Sequence, residues 1–167
     1  MLIDRLEATF YHIPKCAGRS IEQAFLPYCS MDWNSKHLQQ SYGCSAFSIN
    51  FQHAFPSELR PVGLSFTFVR NPLDRDVSYY KHLRLMNRLL KSVSINDFLL
   101  RLCSGGLRRI VSEEAHAPSL FLAPQYLWAR ECDFVGRVET IDEDMKTLCL
   151  SLGAPCLRVP HIGRIAQ

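Results

Sequence analysis

The sequence predicts an α/β fold, with a central parallel sheet flanked by helices in three layers. Three observations predict it. An apolar run at residues 8–13 breaks at a short loop and passes at once into a helical pattern. A second apolar run, 64–69, does the same through Arg-Asn-Pro, and a third, 134–138, leads into another amphipathic helix. Strands that alternate with helices build parallel sheets, whose ligands sit beyond the C-terminal ends of the strands.

Each element has its own signal. Residues 8–13 form the first strand, and a helix over 18–26 stops before Pro27. Residues 28–45 are polar and irregular, with Trp33, His37 and Tyr42 interleaved, which suits a substrate-facing loop. A short strand over 46–51 and a helical turn over 56–60 follow. Residues 64–69 are the clearest buried strand, a short apolar run rich in aromatic and β-branched side chains. Pro72 suits the first position of a helix. That helix runs to about residue 90, with Leu73, Val77, Tyr80, Leu83 and Met86 on its apolar face. Ser94 and Asp97 make a capping-box pattern that opens a helix through Cys103, ended by Gly105 and Gly106. Residues 107–118 carry no clear pattern. After the strand at 134–138, Thr140 and Glu143 form a second capping box, and Ile141, Met145, Leu148 and Leu152 line one helix face. Gly153 and Pro155 stop that helix.

Composition narrows the function. The chain of 167 residues reads as one domain over 1–167, with 47% hydrophobic and 21% charged residues and no long disordered tail. A net charge of +3 admits an anionic ligand but lacks the dense basic face of a nucleic-acid binder. The seven cysteines are odd in number and form no C-x-x-C pair, so zinc spacing is absent and reduced, buried thiols are expected. No carboxylate pair stands at metal-ligand spacing. No apolar run reaches membrane-spanning length, and the charged start M-L-I-D-R-L-E is no signal peptide. The expectation is a cytoplasmic protein. The oligomeric state has no legible signal.

Two loops carry the chemistry. The stretch 10–20 reads F-Y-H-I-P-K-C-A-G-R-S. A strand–loop–helix turn offers free backbone N–H groups and the positive end of a helix dipole to an anion, and Lys15 adds a full charge. It is not a Walker A loop, because no Gly-Lys precedes Ser20. The stretch 66–80 reads F-T-F-V-R-N-P-L-D-R-D-V-S-Y-Y, with Arg70 at the strand end and Ser78 eight residues on.

Together these loops resemble the two cofactor signatures of sulfotransferases that use 3′-phosphoadenosine 5′-phosphosulfate (PAPS). The first is similar to the 5′-phosphosulfate loop of the carbohydrate-type, family 2-like branch, and the second to its 3′-phosphate site. The stretch D-F-V-G-R-V-E-T-I-D-E-D at 133–144 resembles a third segment of that branch. Matches run from about Phe10 to His161. The resemblance implies a P-loop-like fold, and PAPS as donor with PAP as its desulfated product. Relatives that work in the Golgi lumen carry a membrane anchor. This chain shows none, which fits a bacterial-type enzyme or an excised fragment. Relatives also continue for one or two more helices, so the chain looks shortened at its C-terminus.

By the same resemblance Lys15 contacts the oxygen that bridges phosphate and sulfate. Cys16, Ala17, Gly18, Arg19 and Ser20 complete the loop, with the amides of Gly18, Arg19 and Ser20 and the Ser20 hydroxyl on the 5′-phosphate. Arg19 stands where Thr is more usual. Arg70 and Ser78 take the 3′-phosphate, a guanidinium fork matching phosphate oxygens. Arg75 is assigned to an ion pair. Pro124, Gln125 and Trp128 resemble a P-Q-x-x-[WFY] stretch near acceptor and cofactor, and Glu139 supports the floor of the site.

A base must take the proton of the acceptor hydroxyl, and histidine titrates near neutrality. His53, in F-Q-H-A-F ahead of the Arg70 strand, resembles the element that supplies this base. Gln52 departs from the usual Gly or Lys there. His12 is assigned to a core hydrogen bond, and His161 to a structural or cofactor-adjacent place. His37, His82 and His116 have no supporting context. The reading is a PAPS-dependent sulfotransferase acting on a hydroxyl, of a carbohydrate by resemblance. The alternative is a catalytically weak or inactive nucleotide-binding module of the same fold. The missing Gly-Lys-[Ser/Thr] argues against a P-loop kinase. No motif identifies the acceptor.

Overall fold

The computed structural model describes residues 1–30, 55–57, 60–105 and 121–161. Four strands, β1 (Leu2–Ile3), β2 (Ala8–Tyr11), β3 (Leu64–Val69) and β4 (Phe134–Arg137), lie side by side in that order. β1 runs antiparallel to β2. β2, β3 and β4 are parallel, with Phe10 opposite Phe66 and Phe66 opposite Phe134. The helices are α1 (Gly18–Phe25), α2 (Pro72–Leu85), α3 (Ile95–Cys103), α4 (Tyr126–Ala129) and α5 (Ile141–Ser151). The fold is α/β, as expected. Among the described residues no helix is long and apolar enough to cross a membrane.

The period of two along each strand sorts the core. Ala8, Phe10, Phe66 and Phe68 share one face of the sheet and pack with Ile21 and Phe25 of α1 and Met145 and Leu148 of α5. The Phe66 ring lies 5.2 Å from Phe10 and 5.3 Å from Phe25. On the other face Tyr11 packs with Ile13, Cys16 and Trp128, and Phe55 lies 4.4 Å from the Trp128 ring. Polar residues buried there are satisfied: the Thr67 hydroxyl donates to the Tyr11 carbonyl at 2.7 Å. Asp133 accepts from both the Ser65 N–H (2.8 Å) and hydroxyl (2.6 Å), which ties the start of β4 to β3.

Most boundaries fall where the pattern put them, and the Ser94–Asp97 capping box forms with both of its arms. Three expectations change. α2 ends at Leu85, because Asn87 takes a left-handed conformation (φ 54°). The Arg88 N–H then closes back on the Leu83 carbonyl at 2.9 Å and the Asn87 N–H on Arg84 at 3.1 Å, a Schellman ending. The buried face of α2 is Arg75, Tyr79 and Leu83, while Leu73 and Met86 are exposed. Thr140 makes no cap. A 3-10 turn over Val138–Thr140 feeds straight into α5, and the Thr140 hydroxyl donates to Asp144 at 2.8 Å instead. β1 carried no signal, since a two-residue strand is too short for a period. The strand expected at 46–51 lies outside the described residues.

Gly136 faces the Phe68 ring, where an added Cβ would stand 2.4 Å from Cε1. Gly136→Ala must therefore push apart β3 and β4 or displace the ring. The expected cost is about 1–3 kcal/mol, the range for overpacking a filled core. The urea midpoint should fall, and an unchanged midpoint would contradict this packing.

Candidate functional site

The first loop is a strained turn. The Cys16 N–H donates to the Ile13 carbonyl at 3.2 Å, and Lys15 and Ala17 both hold positive φ, 68° and 59°. For residues with a Cβ this costs roughly 1–2 kcal/mol each, and such strain collects at functional sites. Ala17 caps α1 through its carbonyl, which accepts from the Ser20 N–H at 2.9 Å and the Ile21 N–H at 3.1 Å. The Ser20 amide is thus also engaged within the helix. Among the described residues, no backbone carbonyl accepts from the first-turn amides of Gly18 and Arg19. What comes close to Gly18 is the His12 ring: an added Cβ would stand 2.0 Å from its Nε2. The buried His12 is in turn held by Glu22, with Nδ1 2.8 Å from Oε1.

The second loop leaves β3 beside the first, because β2 and β3 are parallel and Tyr11 pairs with Thr67. Asn71 caps α2, its Oδ1 accepting from Leu73 and Asp74. Its own N–H donates to Glu139 at 2.6 Å, which puts Glu139 at the floor of this loop. The Arg70 guanidinium donates to the Lys15 carbonyl at 3.4 Å.

Two side chains clasp the loops together. Gln125 Oε1 accepts from the Arg70 N–H (2.8 Å) and the Cys16 thiol (3.2 Å), while Nε2 donates to the Arg70 carbonyl (2.7 Å). Arg75 is buried and donates to the carbonyls of Pro14 (3.0 Å), Ala123 (2.9 Å) and Phe121 (2.7 Å). Among the described residues its partners are these backbone carbonyls and not the expected carboxylate.

The electrostatics follow from this crowding. Burial pushes the Lys15 ammonium down to about 8, and the Arg70 and Arg19 charges act in the same direction. Burial pushes the Cys16 thiol up to about 12, so it stays a protonated packing group. His82 is half-buried on α2, with its ring 6.1 Å from that of Phe121. Burial, with the charges of Lys15, Arg88 and Arg19, pushes its imidazole down to about 4.

The structure therefore brings Lys15, Cys16, Ala17, Gly18, Arg19, Ser20 and Arg70 to one end of the sheet. Ser78 is half-buried on α2, one turn before His82. His161 is exposed at the end of the run 154–161. His53, the expected base, lies outside the described residues, as do His37 and His116. Phe55, two residues beyond His53 in sequence, packs in the cluster beneath the first loop. The residue that sequence reasoning misplaced is Arg75. The available signal was helical spacing, since Arg75, Ser78 and His82 fall on one side of α2.

Comparison with known proteins identifies one family. A family model described as the sulfotransferase family matches residues 2–165, nearly the whole chain. No curated protein and no solved structure matches the chain.

Crowding sets a measurable property of Lys15. Its folded value lies below that of a free lysine, so the unfolded chain binds the proton more tightly between about pH 8 and 10.5, and stability contributed by this group rises with pH across that window. The Lys15 side-chain resonance should titrate with a midpoint near 8, and Arg70→Ala should move the midpoint up. A midpoint above 10 in the wild type would contradict the crowding.

Proposed function

The chain belongs to the sulfotransferase family, and on that footing we propose that it moves a sulfuryl group from PAPS to an acceptor hydroxyl, of a carbohydrate by the branch its loops resemble. The observation that carries the reading is the meeting of the two loops, with Arg70 of one on the Lys15 carbonyl of the other at 3.4 Å. The residues present fit a polyanion. The charges of Lys15, Arg19 and Arg70 act on one another, and first-turn helix amides with no backbone acceptor among the described residues stand beside them.

PAPS, when bound, supplies the activated sulfuryl group. Lys15, Cys16, Ala17, Gly18, Arg19 and Ser20 would hold its phosphosulfate end. Within that set the amides of Gly18 and Arg19 and the Ser20 hydroxyl serve the 5′-phosphate. Arg70 and Ser78 would hold the 3′-phosphate. The Lys15 ammonium stabilises the charge that builds on the leaving oxygen as the bond to sulfur breaks. A preorganised charge in a water-poor site contributes about 3–4 kcal/mol. Positioning and electrostatics carry such a transfer, as they do in phosphoryl transfer. His53 takes the acceptor proton in this proposal, on the strength of its sequence context.

Lys15 and Arg70 should then differ in kind. Lys15→Ala should lower turnover by about 100- to 1,000-fold with a smaller loss of PAP affinity, because its charge meets an atom whose charge changes. Arg70→Ala should mainly weaken PAP binding, because it meets a phosphate that the reaction leaves unaltered. Calorimetry with PAP and sulfuryl-transfer assays on a panel of sugar hydroxyls read the two effects. A wild-type chain that gives no heat with PAP would sink the donor assignment.

A further inference from the structure

His12 follows β2 directly, and residues 13–17 separate it from Gly18, the first residue of α1. Its ring is buried, 6% exposed, and stacks on Phe10 with centroids 5.9 Å apart and planes 21° from parallel. The same ring meets α1 at two places. At the first turn it fills the space where a Cβ on Gly18 would stand, 2.0 Å from both Cδ2 and Nε2. One turn on, its Nδ1 lies 2.8 Å from Glu22 Oε1. With a carboxylate as partner, Nδ1 carries the hydrogen and donates it. One side chain thus ties together the two ends of the loop that holds Lys15 and Ala17 at positive φ.

We propose that His12 is a positioning residue of the donor site, acting through Gly18, with Glu22 holding its ring in place. The amides of Gly18 and Arg19 serve an anion when they stay aimed at one point. A loop with two residues in left-handed conformations relaxes once its ends are released. The ring sets how closely the first turn of α1 approaches the strand, and the bond to Glu22 sets the rotation of the ring. No Cβ fits between ring and helix, so His12 and the glycine at 18 act as one unit. His12 in this account touches neither donor nor acceptor and moves no proton. The inference rests on the donor-site reading and deepens it: donor affinity depends on a contact beneath the loop.

The experiment measures binding of PAP and, separately, of inorganic sulfate by calorimetry on the whole chain. Circular dichroism locates the thermal transition of each variant, and binding is read below all of them. Glu22→Leu should weaken PAP by about 10- to 100-fold, the scale of a small misplacement in a preorganised site. Glu22→Gln keeps an acceptor for the Nδ1 hydrogen and should bind within about threefold of wild type. Gly18→Ala should weaken PAP at least about tenfold in the wild-type chain, and less than about threefold once His12→Ala has removed the ring. Losses at 12 and 18 that simply add would overturn the proposal. So would variants with lower transition temperatures and wild-type affinity, a result that leaves the donor reading standing. If His12→Ala does not fold, the two Glu22 variants decide alone, and equal affinities for them overturn the assignment. If sulfate reproduces the pattern and PAP does not bind, the His12 assignment stands and the donor reading falls. If the wild-type chain binds neither anion, both fall.

Discussion

The primary amide of Gln125 spends its carbonyl on the Arg70 N–H and the Cys16 thiol and its NH2 on the Arg70 carbonyl. The end of β3 and the loop after β2 are thereby locked to one side chain that belongs to neither. Arg75 adds a second lock, with three backbone carbonyls on one guanidinium. Both clasps are partly or fully buried. Loss of either would leave polar backbone groups without partners, at about 1–3 kcal/mol per group. The parallel register brings the loops to the same edge of the sheet, and the clasps set their spacing there.

That spacing has a cost in the free protein. Lys15 and Ala17 sit in left-handed conformations, and Lys15 is partly desolvated among like charges. Hydrophobic packing beneath the loop, from Tyr11, Ile13, Cys16 and Trp128, offsets the cost. Under the proposed function, this cation-lined loop stands prepared for an anion before the anion arrives. This preorganisation lets a fixed charge act on the reacting atoms without rearrangement. His12 and Glu22 serve the same end from below. The imidazole fills the space beside Gly18 that any other residue would occupy, and so fixes how α1 approaches the strand.

Legibility in the sequence tracked the range of the interactions. Residues 64–69 were readable as β3 because a short apolar run needs only its own composition to be recognised. The Ser94–Asp97 box was readable because both of its bonds span three residues. The face of α2 was not, because Arg75 scores as polar yet is buried by carbonyls 46, 48 and 61 residues away. Gln125 stood out by resemblance, but its clasp joins residues 55 and 109 positions distant. His82 was set aside because its ring partner, Phe121, comes from a segment far along the chain. The loop itself was legible as a strand–loop–helix turn. Which of its amides are already spent was not, since that depends on Ala17 capping the helix.

The central claim is that Gln125 acts on anion binding through the position of Arg70. A double-mutant cycle on PAP affinity, measured by calorimetry with Gln125→Leu, Arg70→Ala and the pair, addresses it directly. The account predicts that each single change weakens PAP and that the pair binds about as weakly as Arg70→Ala alone, because a displaced arginine and a missing one are nearly equivalent. Two losses that simply add would contradict it.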